Sequence, residues 1–369
     1  MAAELFDDFR RIVLEGRPLI DVRAPVEFEK GAFPNAVNLP LMDDEERRLV
    51  GICYKQKGNE AAVKLGHELV SGEKKAQRVK AWCDFKRKHP DALLYCFRGG
   101  QRSQISQRWM EEAGCDIPRL KGGYKAFRRF LIEETERSYE RFSPIVLAGR
   151  TGCGKTLLLE KLPHAVDLEG LANHRGSSFG RKITPQPSQI DFENALAYDL
   201  IRKVEKGYGH LVFEDEGKNV GRLYLPLSLY RYLENAPLAV LETPMPKRVA
   251  ITFEEYVLKG QEAYAKMGFD DPLARWSEDM HAALDRIRKR LGGERHKEAS
   301  ALLREATLAQ RNRGDMAKHE LWIEYLLKHY YDPMYDYQIA RRKERIVFRG
   351  EKEAMEAWLR ERSRCTTSP

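Results

Sequence analysis

Two short stretches carry residues of the right kind and spacing for chemistry. The first, "LLYCFRGGQRS" at residues 93–103, sets a lone Cys96 after an apolar run and just before Arg98, Gly99, Gly100, Gln101 and Arg102. Small residues at a strand end let successive backbone N–H groups turn inward, and a helix starting there adds partial positive charge, so the turn makes a cradle for an anion. A lone cysteine ending a strand is ordinarily a small buried hydrophobe. The glycines and arginines around Cys96 argue instead for a reactive thiolate. Moving a thiol pKa from about 8.5 to about 6.5 takes roughly 2.7 kcal/mol of preferential anion stabilisation, within reach of a helix end and two arginines.

The second stretch is "GRTGCGKT", where Gly149, Gly154, Lys155 and Thr156 complete G-x-x-x-x-G-K-T behind the apolar "SPIVLA", with Gly152 inside the loop. Glycines allow N–H groups to surround a diphosphate, Lys155 reaches its outer oxygens, and Thr156 can ligate Mg2+. Glu214, Asp215 and Glu216 of "LVFEDEG" lie at an expected strand end, where an acid holds magnesium directly or through water. Asp167 follows another short apolar run, and "RGSSFG" at 175–180 is a polar, glycine-flanked loop. No N-K-x-D guanine motif or clear adenine signature follows. The diphosphate therefore need not belong to a nucleotide.

The elements that must position these loops are strands alternating with helices. "LIDV", "AVNLPL" and "DALLYCF" read as strands and "QRSQISQRWMEEAG" as a helix, a pattern that predicts a parallel sheet. "SPIVLAG" opens a second set, with a helix from Lys155, a helix near Phe192 to Glu205 and a strand at "HLVFEDE". From Glu254 onwards the chain is strand-poor. In "WSEDMHAALDRIRKRLGG" Leu284, Ile287 and Leu291 share a helix face and glycines follow as a stop. Pro333, among Tyr330, Tyr331, Tyr335 and Tyr337, is expected to interrupt a helix and leave those rings facing a substrate or covering the phosphate loop.

The 369 residues, 42% hydrophobic and 33% charged, suit two or three packed soluble units. The formal charge of +8 favours a polyanionic partner or an acidic substrate. Arg286, Lys289 and Arg290 make a basic stripe on one helix, the expected nucleic-acid contact. The six cysteines show no CxxC pair or zinc-ligand rhythm, which points to free thiols in a reducing compartment and no structural metal. No apolar run approaches the roughly 18 residues of a membrane span, so a cytoplasmic location without membrane contact is expected.

"LIDVRAPVEFEKGAFPNAVNLP" together with the Cys96 to Arg102 loop resembles a rhodanese domain. That likeness implies Cys96 as the chalcogen carrier, with Asp21 and Arg23 in support. With "GICYKQKGNEAAVKLG", "RLKGGYKAFR", "GRTGCGKT", "DLEGLANHRGSSFG" and "YYDPMY" added, nearly the whole chain resembles the tRNA 2-selenouridine synthase family. The resemblance implies an α/β fold: a rhodanese-like parallel-sheet domain (1–135), a P-loop NTPase-like domain (143–253) and a helical, partly basic C-terminal domain (254–369). It implies an enzyme that replaces sulfur by selenium at C2 of wobble 2-thiouridine in tRNA, taking selenium from selenophosphate through S-geranyl-2-thiouridine made from geranyl diphosphate.

The residue roles that follow from it are Cys96, Arg98 and Arg102 in catalysis and Gly149, Gly152, Gly154, Lys155 and Thr156 on the diphosphate. Mg2+ would be placed by Asp167, Glu214, Asp215 or Glu216, and residues near Tyr224 to Leu233 are one expected lining for the prenyl chain. Cys96 would either carry selenium as a selanyl-cysteine, which suits the loop better, or assist later phosphate removal. Partners would be tRNA and an enzyme supplying selenophosphate. Two other readings remain: an ATP-dependent tRNA sulfurtransferase and a non-catalytic RNA-binding nucleotide switch.

Overall fold

The computed structural model describes residues 4–363, which form two compact units. The first takes the chain up to Ser138 plus Pro187–Glu205, and the second takes Tyr139–Gln186 plus the chain from Lys206 onwards.

In the first unit, β1 (Leu5–Phe6), β2 (Leu19–Asp21), β3 (Ala36–Asn38), β4 (Leu93–Tyr95) and β5 (Arg119–Leu120) form a parallel sheet in the order β1-β5-β4-β2-β3. The central strands are buried because helices cover both faces; Leu19, Ile20, Leu93, Leu94 and Tyr95 have no exposed surface, and neither has Asp21 at the end of β2. One face packs on Trp82, Cys83, Trp109 and Met110. The other packs on Phe127 and Leu131 of helix Gly123–Ser138 and on Ala197, Tyr198 and Ile201 of helix Gln189–Glu205.

The helical stretch Asp44–Leu69 is a hairpin. Gly58, at φ 83° and ψ −175°, breaks it, and a Cβ on Gly66 would lie 3.8 Å from Val50 Cγ2. A straight helix, rising about 1.5 Å per residue, would hold those positions more than 20 Å apart.

In the second unit, β6 (Ser143–Ala148), β7 (Ala165–Val166), β8 (His210–Glu214), β11 (Leu238–Leu241) and β12 (Ile346–Gly350) form a parallel sheet ordered β12-β11-β6-β8-β7; β9 (Asn219–Val220) and β10 (Leu223–Tyr224) make a separate hairpin. Helices Pro272–Leu291, Gly293–Arg313 and His319–Leu326 enclose Trp276, Leu284, Ile287, Leu303 and Trp322. Leu284, Ile287 and Leu291 do share the buried face.

Three expectations change. The segments 143–253 and 254–369 do not separate, because β12 completes the sheet begun by β6 and the later helices share the same unit. Helix Gln189–Glu205, expected with the phosphate loop, joins the first unit because its apolar face covers Phe127. Pro333 does not interrupt the helical path: a π turn at Leu327–Tyr331 resets the hydrogen bonding, and Pro333 then falls in the first turn of Asp332–Arg341, where no N–H is needed.

Candidate active sites: a cysteine cradle and a phosphate loop

β4 delivers Cys96 to the rim of the first sheet, and helix Gln101–Glu112 starts just beyond it with Gly100 as its N-cap. The thiol, 2% exposed, donates to Ser103 Oγ at 3.2 Å, and the Ser103 hydroxyl donates to the Gly100 carbonyl at 3.0 Å. The backbone of "KGGY" braces the loop from beneath. Tyr124 N and Lys125 N donate to the carbonyls of Cys96 and Phe97, both at 2.9 Å. Gly123, at φ 60°, must be glycine, since a Cβ there would sit 2.3 Å from the Cys96 carbonyl oxygen.

The three expected catalytic residues have different surroundings. Arg98 is exposed, its guanidinium carbon 5.8 Å from the Phe97 ring centroid, and it has no ion pair among the described residues. Arg102 is already committed to Glu27, at 2.5 and 3.2 Å. Burial pushes the Glu27 carboxyl up, but Arg102 and then Arg47 hold it below the usual carboxylate range. Arg102 is thus half of a paired structure rather than a second open anion receptor like Arg98. Asp21 and Arg23 form a buried bidentate pair, with Arg23 also donating to the Gly31 carbonyl at 2.9 Å and lying 3.9 Å from the Tyr124 ring centroid.

Sequence reading missed Arg119. It is 6% exposed, donates to the Gly99 carbonyl at 3.1 Å and to Gln107 Oε1 at 2.5 Å, and is lowered by burial while Cys96 opposes that shift. Its position at a short strand end gave no sequence signal. Only the tertiary fold places it under the cysteine loop.

The second site lies where β6 runs through the glycine loop into helix Lys155–Leu159. Gly152 and Gly154 have φ of 76° and 87°, and a Cβ on Gly152 would meet Thr252 Oγ1 at 2.4 Å. Lys155 Nζ donates to the Gly149 carbonyl at 3.1 Å and lies 5.7 Å from the Tyr335 ring centroid. Burial acts to lower the Lys155 ammonium, but Cys153, Tyr335, Glu169 and Glu216 raise it by more, so it is held charged.

Glu214 closes β8 beside Thr156, with Thr156 Oγ1 3.4 Å from its Oε1, and accepts from Glu169 N at 2.8 Å. Asp167 caps helix Leu168–Leu171 through Gly170 N at 2.7 Å and also borders the cavity. Burial pushes Glu216 up to about 7; burial and then Glu216 push Glu169 up to about 9. Glu214 is also raised well above the usual range, by burial and then Glu169.

Asp215 is a correction. Both its oxygens are held by Arg342 at 2.6 Å, and it borders a different depression from the one around Lys155. Glu214 instead accepts from Glu169 N, and Glu216 borders the cavity around Lys155. Glu169, unmarked by any motif, stands in its place.

The cavity around Lys155 measures about 260 Å³ and takes its apolar walls from Leu157, Ile251, Tyr256 and Tyr335. The expected lining between Tyr224 and Leu233 is not there: Leu225, Leu229 and Leu233 are buried elsewhere in the unit. Tyr335 does reach the phosphate loop, as one of the two alternatives for the tyrosine cluster required. Arg175, Gly176 and Ser177 of the "RGSSFG" loop border the same cavity, and Arg286 donates to the Ser178 carbonyl at 2.8 Å. Lys289 and Arg290 are exposed on the same helix.

The donor set fits Mg2+. No group of three His, Cys, Asp or Glu side chains among the described residues makes a protein cage for a metal, but Mg2+ usually keeps several waters and takes few protein ligands besides phosphate oxygens. The Thr156 hydroxyl beside Glu214, a buried carboxyl raised by burial and by Glu169, matches that demand.

A rhodanese-like domain model matches residues 5–130, and the model of the tRNA 2-selenouridine synthase AAA domain matches residues 142–366. The chain is 63% identical over 354 residues to the tRNA 2-selenouridine synthase of Sulfurovum sp. (strain NBC37-1), covering 96% of this chain and 97% of that one. It is 50% identical over 356 residues to the enzyme of the same name from Pseudomonas fluorescens, covering 96% and 98%. Against that from Cupriavidus pinatubonensis it is 51% identical over 358 residues, again covering 96% and 98%. The chain, with its rhodanese-like sheet unit and its phosphate-loop unit, belongs to the tRNA 2-selenouridine synthase family.

Proposed function

We propose that this protein replaces sulfur by selenium at C2 of wobble 2-thiouridine in tRNA, alkylating the sulfur at the phosphate loop and exchanging it at the cysteine loop. One observation carries the reading: a single chain holds a buried thiol in a glycine cradle and, in its other unit, a lysine-bearing phosphate loop whose cavity has apolar walls.

In the first reaction the thiocarbonyl sulfur attacks C1 of geranyl diphosphate. The carbon–oxygen bond breaks, diphosphate leaves with the electron pair, and the base loses its N3 proton to give neutral S-geranyl-2-thiouridine. Lys155 and the loop N–H groups meet the charge that develops on the leaving oxygens. Thr156 and Glu214 would hold Mg2+, which supplies further neutralisation of the diphosphate when bound. Leu157, Ile251, Tyr256 and Tyr335 receive the isoprenoid chain and keep water from the allylic carbon.

In the second reaction the selenium of selenophosphate attacks C2 and geranyl thiol leaves, a far better leaving group than the original thiocarbonyl sulfur. Water then cleaves the phosphorus–selenium bond, giving phosphate and 2-selenouridine. Arg98 is the open cation for the incoming anion, and Arg119 holds the loop that presents Cys96. The two roles for Cys96 differ in electron count. Attack of its sulfur on phosphorus breaks the phosphorus–selenium bond and leaves an S-phosphocysteine, which water hydrolyses to phosphate and the free thiol without any redox change, whereas a selanyl-cysteine needs a further thiol to cleave its S–Se bond. The electron count favours the assisting role.

The test supplies full-length protein with a 2-thiouridine anticodon stem-loop, geranyl diphosphate, selenophosphate and Mg2+, followed by nucleoside mass spectrometry. S-geranyl-2-thiouridine should appear first and 2-selenouridine afterwards. Formation of 2-thiouridine from plain uridine with ATP would replace this reading by a sulfurtransferase. A phosphorus rather than a selenium adduct trapped on Cys96 would establish the assisting role.

A further inference from the structure

The hairpin Asp44–Leu69 walls an open cleft of about 550 Å³ beside the cysteine loop. Its interior is apolar: Leu41, Met42 and Ala62 are buried, and Val50, Val63 and Trp109 complete it. Gln101, Arg102 and Ile105 form the opposite side. They belong to the opening turns of the helix whose N-terminus makes the anion cradle, so one helix serves the thiol with its end and the cleft with its flank. At the mouth, Ile52 and Tyr54 are 40% and 58% exposed and Lys55 has no ion pair among the described residues, while Arg47 is paired to Glu27 and Arg48 to Glu45.

We propose that this cleft binds the geranyl chain of S-geranyl-2-thiouridine while C2 of the base is exchanged at the cysteine loop. The inference rests on the two-reaction route above. Transfer of a small inorganic chalcogen calls for no apolar cleft of this size. A base alkylated on sulfur does, because its ten-carbon chain must be housed when the base reaches Cys96, and the walls around Lys155 all belong to the other unit. Lys55 at the mouth suits the polyanionic tRNA that presents this chain. Each methylene buried from water raises affinity about fourfold, so the chain also becomes a means of selecting the activated base over unalkylated 2-thiouridine.

The test gives the full chain anticodon stem-loops already carrying S-methyl-, S-dimethylallyl- or S-geranyl-2-thiouridine, with selenophosphate and no geranyl diphosphate. The kcat/KM for selenation should rise with chain length, by about 100-fold or more from S-methyl to S-geranyl. Val63→Phe, which narrows the cleft, and Ile52→Asp, which charges its exposed mouth, should each cut the S-geranyl value about 10-fold or more while leaving the S-methyl value and geranylation at the phosphate loop near normal. Should Val63→Phe fail to fold, the exposed Ile52→Asp carries the test. Equal rates for S-methyl and S-geranyl substrates overturn the inference and leave the two-reaction route standing. So does an unchanged chain-length dependence in the folded variants. Conversion of 2-thiouridine but of no S-alkyl substrate overturns the route and the inference together.

Discussion

The two anion cradles share a strand–loop–helix plan and differ in how their charge is balanced. Around Cys96 the cations are already answered: Arg102 is paired to Glu27, Arg23 to Asp21, and Arg119 to carbonyl oxygens, leaving Arg98 open. Around Lys155 the imbalance is of the other sign, with Glu169, Glu214 and Glu216 crowded together and pushed towards protonation by burial and by one another. The first loop keeps one open cation, and the second gathers carboxyls that a cation would stabilise. On the proposed reading, the nucleophile's site is braced by its own backbone, whereas the site for diphosphate and Mg2+ draws part of its charge balance from its ligands.

The largest expected effect separates the two loops outright. Lys155→Ala should lower geranylation about 1,000-fold, in line with removal of a principal donor to a leaving anion, while selenation of a pre-alkylated stem-loop persists. Cys96→Ser should do the reverse: a hydroxyl ionises far above neutrality, so selenation is lost and S-geranyl-2-thiouridine accumulates when both co-substrates are present. Nucleoside analysis of the two reactions reads both variants. Loss of both products in either variant breaks the comparison.

Backbone changes should be next in size. Gly123→Ala drives a Cβ into the Cys96 carbonyl at positive φ, and Gly152→Ala does the same against Thr252. Each should cost about 1–3 kcal/mol in denaturant unfolding. Gly123→Ala should impair selenation first and Gly152→Ala geranylation first. Equal damage to both activities would mean that the loops are not separately built.

The charge imbalance makes a pH prediction. Glu216 near 7 and Glu169 near 9 hold protons in the folded state that the unfolded chain has already released. Their contribution to stability is therefore present at low pH and lost as pH rises through about 7 and then about 9. Without Mg2+ the thermal midpoint should fall by a few degrees across that window, and Mg2+ should restore much of it. Glu169→Gln should flatten the upper part of the fall. A midpoint that rises over the same range contradicts the assignment.

The smallest expected effect concerns RNA. Reversing charge at Arg286, Lys289 and Arg290 should weaken tRNA binding and lower the slope of log K against log salt by about 0.9 for each lost phosphate contact at a duplex-like site. Because Arg286 also holds the Ser178 carbonyl, Lys289→Glu with Arg290→Glu is the cleaner pair. An unchanged slope removes this helix from the RNA-binding surface.

Both cradles were legible in the sequence because each is a local pattern: an apolar run, glycines at positive φ, a cation, and a helix start. Long-range partners were not. Glu169 and Arg119 belong to no motif and reach their sites only through sheet order, and Asp215 looked equivalent to its neighbours until Arg342, from far along the chain, claimed it. Gly58 was visible as a residue but not as a hinge, since only the packing of Val50 near Gly66 shows that the helix folds back. Pro333 misled because a π turn, which has no sequence signature of its own, absorbs the break.

Helix Gln189–Glu205 has a consequence for synthesis on the ribosome. It supplies Ala197, Tyr198 and Ile201 to the core of the first unit but is encoded after the phosphate loop. The nascent rhodanese-like sheet must therefore wait, with its Phe127 face uncovered, while "GRTGCGKT" and the strand after it are made. Vectorial folding, first domain finished before the second begins, is closed to this chain. A gene fragment ending at Ser138 would encode every residue of the cysteine cradle and still yield a sheet with one side bare.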